Sequence, residues 1–371
     1  MRLRHILIII LLFLSSGCTS LPFKKARTDF YSGNLARADS VLGECKEIPK
    51  RNRLLCYMEK GVILHYMDAY EESTNALLNA SRFVRDQDQI SIKDQSTAVM
   101  INDMTATYKG EYSERLWIHT FLMMDFLLQH RYEDALVEGK QALEVYGEYP
   151  KALEEDHFTR ALIALCFENM NQPDDARIEY EKLAKSMGVE HITPEPIPPG
   201  KGELILFIAQ GRVPEKISVD VAVPPSIRIS IPRYADSDPP VPVEIREDGS
   251  GISPYSITTD MGEVDRKSLN DRAAQYLTRQ ALRAGAKEAV ARRIGENSDV
   301  GEALARVILF LLEEADTRSW GTLPGSLTLA RIKMDAGIHD LDISAGYSGT
   351  VRLRGIDIPE GRRVYRSIRL R

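Results

Sequence analysis

The sequence predicts an α+β fold in two parts: an all-α array of helical hairpins, then a strand-rich domain that carries two helices. Three observations lead there. Within residues 115–188 one spacing occurs twice, first as Phe126, His130, Tyr132, Ala135 and Ala142, then as Phe167, Asn171, Pro173, Ala176 and Leu183. Each set reads as an aromatic closing one helix, a polar turn, and a small residue where two helices touch. Pro194, Pro196, Pro198 and Pro199, with Gly200 and Gly202, then break the helical pattern, because proline lacks an amide donor and fixes its own φ. Beyond them, short β-branched runs often alternate apolar and polar residues with the period of strands. A chain of 371 residues, 43% of them hydrophobic, can bury two cores.

The N-terminus has its own pattern. Arg2 and Arg4 precede an apolar run at 6–14, and Ser15, Ser16 and Gly17 lead into Cys18. A basic start, a short apolar core and small residues before a cleavage point describe a secretory signal, too short for a spanning helix. The cysteine after Gly17 resembles the lipobox of bacterial lipoproteins, with Ser15 standing where a branched apolar residue is usual. That resemblance implies acylation of Cys18, and Thr19 after it implies sorting to the outer membrane. Several acyl chains would anchor the chain stably, where one binds only marginally. The expected organisation is a signal at 1–17, a helical domain at 18–190, a Pro-rich linker at 191–202 and a β-rich domain at 203–371.

Charge excludes one class of partner. Without Arg2 and Arg4, the 48 basic and 54 acidic residues leave a net charge of −8. From Lys201 onward 25 basic and 24 acidic residues nearly cancel, so the acidity lies in the helical half. Neither half carries the clustered positive footprint of a nucleic-acid binder. Arg352, Arg354, Arg362, Arg363, Arg366, Arg369 and Arg371 fit the solvated face of strands. Cys45 and Cys56 are candidates for a disulfide across a helix turn in an oxidising compartment, or for small buried apolar residues with Cys166.

In chain order, residues 24–45 read as a weak first hairpin, turning at Gly33-Asn34-Leu35 with Ala38 at the contact. Residues 52–67 and 70–83 form a clearer pair, in which Gly61 admits the partner helix and Ser73 replaces the usual alanine. A polar stretch at 86–110 inserts a loop with one helix at 97–108. Two further hairpins follow in 115–188. This pattern resembles the tetratricopeptide repeat family, in which each hairpin buries its apolar stripe by stacking on a neighbour. The resemblance implies a curved slab whose first helices line a concave face. That face carries Met58, Val62, His65, Trp117, Met124, Leu128, Leu165 and Asn169, with Leu55, Thr120, Leu127, Phe158 and Ala161 beside them. So much apolar surface marks an interaction site. Its occupant is a peptide or helix of a partner, with Trp117 as anchor and the methionines adapting, or the chain's own linker or second domain.

The second part is expected to hold strands at 203–209, 216–223, 227–231, 241–246 and 255–258, helices at 268–294 and 299–315, and strands at 326–333, 337–344, 350–357 and 363–371. Asp316, Arg318, Trp320 and Arg331 form a charged corner where the apolar helix meets the last sheet. Asp316 can pair Arg318 or Arg331, and a buried Trp320 needs an acceptor for its indole N–H.

No G-x-S-x-G, H-E-x-x-H, Walker or dinucleotide fingerprint is present. His119, His130 and His157 fall on helices or turns, and Glu154-Glu155 and Glu313-Glu314 read as solvated faces. The expectation is therefore a non-enzymatic protein with no cofactor and no metal. The whole arrangement resembles uncharacterised bacterial lipoproteins with tetratricopeptide repeats. The resemblance implies a periplasmic protein-protein interaction scaffold at the outer membrane, in envelope or cell-wall assembly, with a periplasmic or outer-membrane protein as partner. The alternative is a peptidoglycan- or carbohydrate-binding module with the repeats as spacer. Its reading surface would draw on Phe207, Tyr234, Tyr255, Trp320, Tyr347 and Tyr365, which are scattered.

Overall fold

The computed structural model describes residues 21–91, 106–223, 227–272, 315–346 and 349–370, with isolated positions between 278 and 293. The signal segment and Cys18 lie outside the described residues, as do most of the inserted helix expected at 97–108 and nearly all of the one expected at 299–315.

Among the described residues of the first half, eight helices pair into four hairpins: α1 (Leu21–Tyr31) with α2 (Leu35–Leu42), α3 (Lys50–His65) with α4 (Tyr70–Ser91), α5 (Tyr112–Leu128) with α6 (Tyr132–Glu148), and α7 (His157–Asn169) with α8 (Pro173–Met187). One device closes all four. Gly33, Asp68, His130 and Asn171 adopt positive φ between 54° and 86°. Each following amide bonds back five residues, as in Asn34 N–H to Asp29 O (2.8 Å), Ala69 to Leu64 (3.0 Å), Arg131 to Phe126 (2.8 Å) and Gln172 to Phe167 (2.9 Å). This is the left-handed C-terminal cap that glycine or a short polar residue accepts at least cost. Five residues past each of these positions stands Ala38, Ser73, Ala135 or Ala176, all buried. Gly61 is a close approach: a Cβ there would sit 2.5 Å from Leu77 Cδ2 on the paired helix. The Ser73 hydroxyl donates to Gly61 O (2.9 Å) across the same contact.

Among the described residues ten strands follow: β1 (Lys201–Gln210), β2 (Lys216–Val223), β3 (Ile227–Tyr234), β4 (Val243–Glu247), β5 (Ser250–Ile252), β6 (Tyr255–Asp260), β7 (Ser326–Asp335), β8 (Gly337–Ala345), β9 (Val351–Ile358) and β10 (Arg363–Leu370). The inner sheet runs β10, β1, β7, β6, and the outer sheet β5, β4, β8, β9, while β2 and β3 form a separate ribbon. β1 is the hub. It pairs with β10 in parallel, Ile205 opposite Tyr365, and with β7 antiparallel, Phe207 opposite Leu329. Three-residue β5 was not foreseen. Its signal is Asp248-Gly249, with φ of 47° and 79°, the dipeptide that makes a two-residue hairpin turn.

One helix of the strand half is described in full, α9 (Met261–Asp271). It begins seven residues before the expected 268, because the Asp260 side chain accepts the Glu263 amide (3.0 Å) and so caps the helix early.

Three layers result: hairpins, inner sheet, outer sheet. β1 alternates between two cores. Leu204, Leu206 and Ile208 join Ile245, Leu341, Ile343 and Ile356 between the sheets, while Ile205, Phe207 and Ala209 join the helical core with Met58, Trp117, Leu165 and Trp320.

Candidate functional site

The concave face is occupied by the chain's own second half, so it is not an open partner groove. Met58, Val62, Met124 and Leu165 are 0% exposed, and His65 and Trp117 are 1% exposed. Leu128 and Asn169, farther toward the edge, are half-buried.

His65, near the end of α3, shows how the face is closed. Its Nδ1 bonds Asp125 Oδ1 (2.5 Å) and its Nε2 bonds the Ser367 hydroxyl of β10 (2.7 Å). Burial pushes the Asp125 carboxyl above its usual range, against the pull of His65 and of the Ser73 hydroxyl. Trp117 donates its indole N–H to Asp156 Oδ2 (2.6 Å). Asp156 also caps α7 through the Thr159 amide (3.0 Å), so this anchor is spent inside the protein. Asn169 Oδ1 accepts from Arg363 Nη1 and from the Tyr365 hydroxyl, each at 2.9 Å.

The deepest contact is the charged corner. The loop from Asp316 to Leu323 enters the concave face much as a bound peptide would. Glu59 of α3 accepts the successive amides of Gly321 (3.0 Å) and Thr322 (3.1 Å). Glu114 of α5 accepts the Trp320 amide (2.6 Å), and Tyr31 of α1 donates to the carbonyls of Gly321 (2.7 Å) and Leu323 (3.0 Å). Arg27 bonds both Glu59 and the Ser319 carbonyl. Trp320 is 0% exposed, its ring 5.7 Å from that of Phe121. Its indole N–H finds no acceptor among the described residues. Asp316 pairs with Arg318 (2.7 Å), whose Nη1 also reaches Arg51 O (2.9 Å).

Arg331, the other cation the sequence offered to Asp316, goes elsewhere. It bonds Glu203 of β1 (Nε, 2.8 Å) and Glu168 of α7 (Nη1, 2.8 Å), and Arg363 reaches Glu203 as well (Nε, 2.8 Å). Burial alone would raise the Glu203 carboxyl, but the two guanidiniums hold it below its ordinary value. A second buried group lies at the start of α5. There Glu111 accepts from Lys216 (2.6 Å) and Arg272 (2.5 Å), which outweigh burial and pull its pKa down to about 2. Charged groups taken out of water in this way are tolerated only when paired.

Cys45 and Cys56 are joined by a disulfide, with Cα atoms 5.6 Å apart, and Cys166 is a buried free thiol. Among the aromatics weighed for a glycan surface, Phe207, Tyr234, Trp320 and Tyr365 are buried, Tyr255 is exposed, and Tyr347 lies outside the described residues. Among the described residues no cluster of three His, Cys, Asp or Glu is placed to hold a metal, and no helix is long and apolar enough to cross a membrane.

No protein-family model matches the chain, and no curated protein sequence matches it. Among solved structures it is similar to the apo form of RapI, at 13% identity and a TM-score of 0.35, over 46% of this chain and 43% of that one. It is also similar to MamA MSR-1 C2, at 13% identity and a TM-score of 0.20, over 46% of this chain and 97% of that one. At these scores the likeness adds nothing to the hairpin geometry itself.

Proposed function

We propose that the chain is an exported, non-catalytic docking scaffold, held by acyl chains on Cys18 at the periplasmic face of the outer membrane and serving envelope or cell-wall assembly. The observation that carries the scaffold reading is the locked slab: four hairpins whose hollow is filled by the 316–323 loop and the inner sheet. A surface fixed in advance loses little freedom when a partner docks, and that lowers the cost of binding. With the hollow filled from within, recruitment falls to the outward surfaces. The Cys45–Cys56 disulfide suits an oxidising compartment, and the lipobox-like run before Cys18 supports the anchor.

Cell fractionation with Cys18→Ala tests the anchor. The variant is expected in the soluble periplasmic fraction, and the wild type in the membrane fraction with an acylated N-terminus by mass. Cross-linking in membranes followed by capture tests the scaffold, with a specific protein partner expected. An unmodified N-terminus removes the anchor, and capture of no protein removes the scaffold.

A further inference from the structure

Beyond the concave face, a cleft of about 640 Å³ opens where β6 ends the inner sheet, within the range of small-ligand sites. Ser256 and Thr258 on β6 and Thr328 on β7 line it, the Thr258 and Thr328 hydroxyls bonded to each other (2.8 Å). Pro240 and Pro242, in the stretch before β4, line it as well. Proline has no amide hydrogen and cannot give a continuous ladder to a neighbouring strand, so this stretch lies along the cleft without closing it. Among the described residues β6 pairs on one side only, with β7. An edge strand beside an open groove is a template for an added strand.

The charge of the cleft is net negative, three carboxylates against the two cations that pair with them. Glu155, Asp260 and Glu263 line it, and no Lys or Arg does. The imidazole in its wall, His157, has its pKa lowered by burial, so it adds no positive charge at neutral pH. Glu155 and Glu263 each hold a cation from α9, Lys267 and Arg266, and Asp260 caps that helix. Arg266 gives Glu263 two bonds, both on Oε2 (3.2 and 2.9 Å), and a carboxylate offers more acceptor sites than these use. Anionic ligands are thus disfavoured, and donors carrying positive charge are favoured.

We infer that this cleft docks an extended segment of a partner protein along β6, with a lysine or arginine of that segment directed at Glu155, Asp260 and Glu263. The inference rests on the scaffold reading and names the surface and the chemistry of its partner. Val241, 46% exposed at the rim, offers a substitution with little cost in packing.

The test uses the purified full chain and two fluorescein-labelled pentapeptides, one alternating valine and lysine, the other valine and glutamate. Fluorescence anisotropy is expected to show the lysine peptide binding, with the glutamate peptide about tenfold weaker or worse. Thr258→Arg and Val241→Arg are each expected to weaken the lysine peptide by about tenfold. The melting point of Val241→Arg stays at the wild-type value, which keeps the result readable if Thr258→Arg misfolds. Equal binding of the two peptides, binding of neither, or binding untouched by Val241→Arg overturns the inference. If Val241→Arg still captures the wild-type partner in membranes but neither peptide binds, the cleft is excluded and the scaffold reading stands.

Discussion

The two faces of β1 are built from the same strand and opposite chemistry. Toward the outer sheet, Leu204, Leu206 and Ile208 meet mainly apolar partners such as Ile343 and Ile356, with the uncharged, buried Thr328 opposite Ile208. Toward the hairpins, Ile205, Phe207 and Ala209 share their face with Glu203, paired to Arg331 and Arg363, and with the buried carboxylates Glu59 and Glu114 that grip the 316–323 loop. An aliphatic core tolerates shifted packings as long as volume is kept. A buried carboxylate tolerates only the placement that supplies its donors. The outer core therefore supplies stability with little directional demand, and the inner one fixes where the strand half sits on the helices.

Trp320→Ala breaks the comparison most strongly. It empties the concave face and is expected to cost about 3–5 kcal/mol, measured by denaturant unfolding, with loss of the single transition that couples the two halves. An unchanged midpoint would mean the loop is not part of the core.

Glu203→Ala and Ile343→Ala sharpen the comparison, one substitution on each side of the inner sheet. Removing Glu203 deprives two guanidiniums of a buried partner, for about 3 kcal/mol at neutral pH. Truncating Ile343 costs about 2–4 kcal/mol through the cavity it leaves. pH separates them. The Glu203 carboxyl is depressed, so its contribution is present above the ordinary carboxylate range and is lost as pH falls through the lowered value. The deficit of Glu203→Ala should shrink on acidification, while that of Ile343→Ala should persist. Glu111, held to about 2, behaves as Glu203 does: Glu111→Gln should flatten the stability profile between the ordinary glutamate value of 4.5 and about 2.

Gly61→Ala is the smallest effect. The added methyl meets Leu77 at 2.5 Å, and overpacking of about 1–3 kcal/mol exceeds the roughly 1 kcal/mol gained in helix propensity. A stabilised variant in thermal melts would show that α3 and α4 have room to part.

The hairpins were legible because each is set by local chemistry. A turn residue that accepts positive φ stands five places before a small residue, and Gly33, Asp68, His130 and Asn171 repeat that relation within their own segments. The period of the strands was legible for the same reason. Which of the two expected occupants fills the concave face was not, since that depends on contacts such as Glu59 with Thr322, 263 residues apart. One signal did point to it. Leu204 to Ala209 is apolar without a break, and a strand that does not alternate is one buried on both faces. Glu59, with Leu55, Cys56, Val62 and Ile63 three and four places away on an inner helix, is a second sign, because a buried carboxylate requires donors from somewhere. Of the two cations offered to Asp316, Arg318 takes it, while strand register sets Arg331 opposite Ile205 and so diagonal to Glu203 on the same face.

Trp117 and Trp320 are the chain's two tryptophans, and they meet the concave face from opposite sides. Acrylamide quenching of the native full chain's tryptophan fluorescence therefore reads its occupancy directly. A filled hollow predicts blue-shifted emission and weak quenching that rise together only on unfolding. Emission close to that of free tryptophan, with efficient quenching while the far-ultraviolet dichroism stays native, would contradict it.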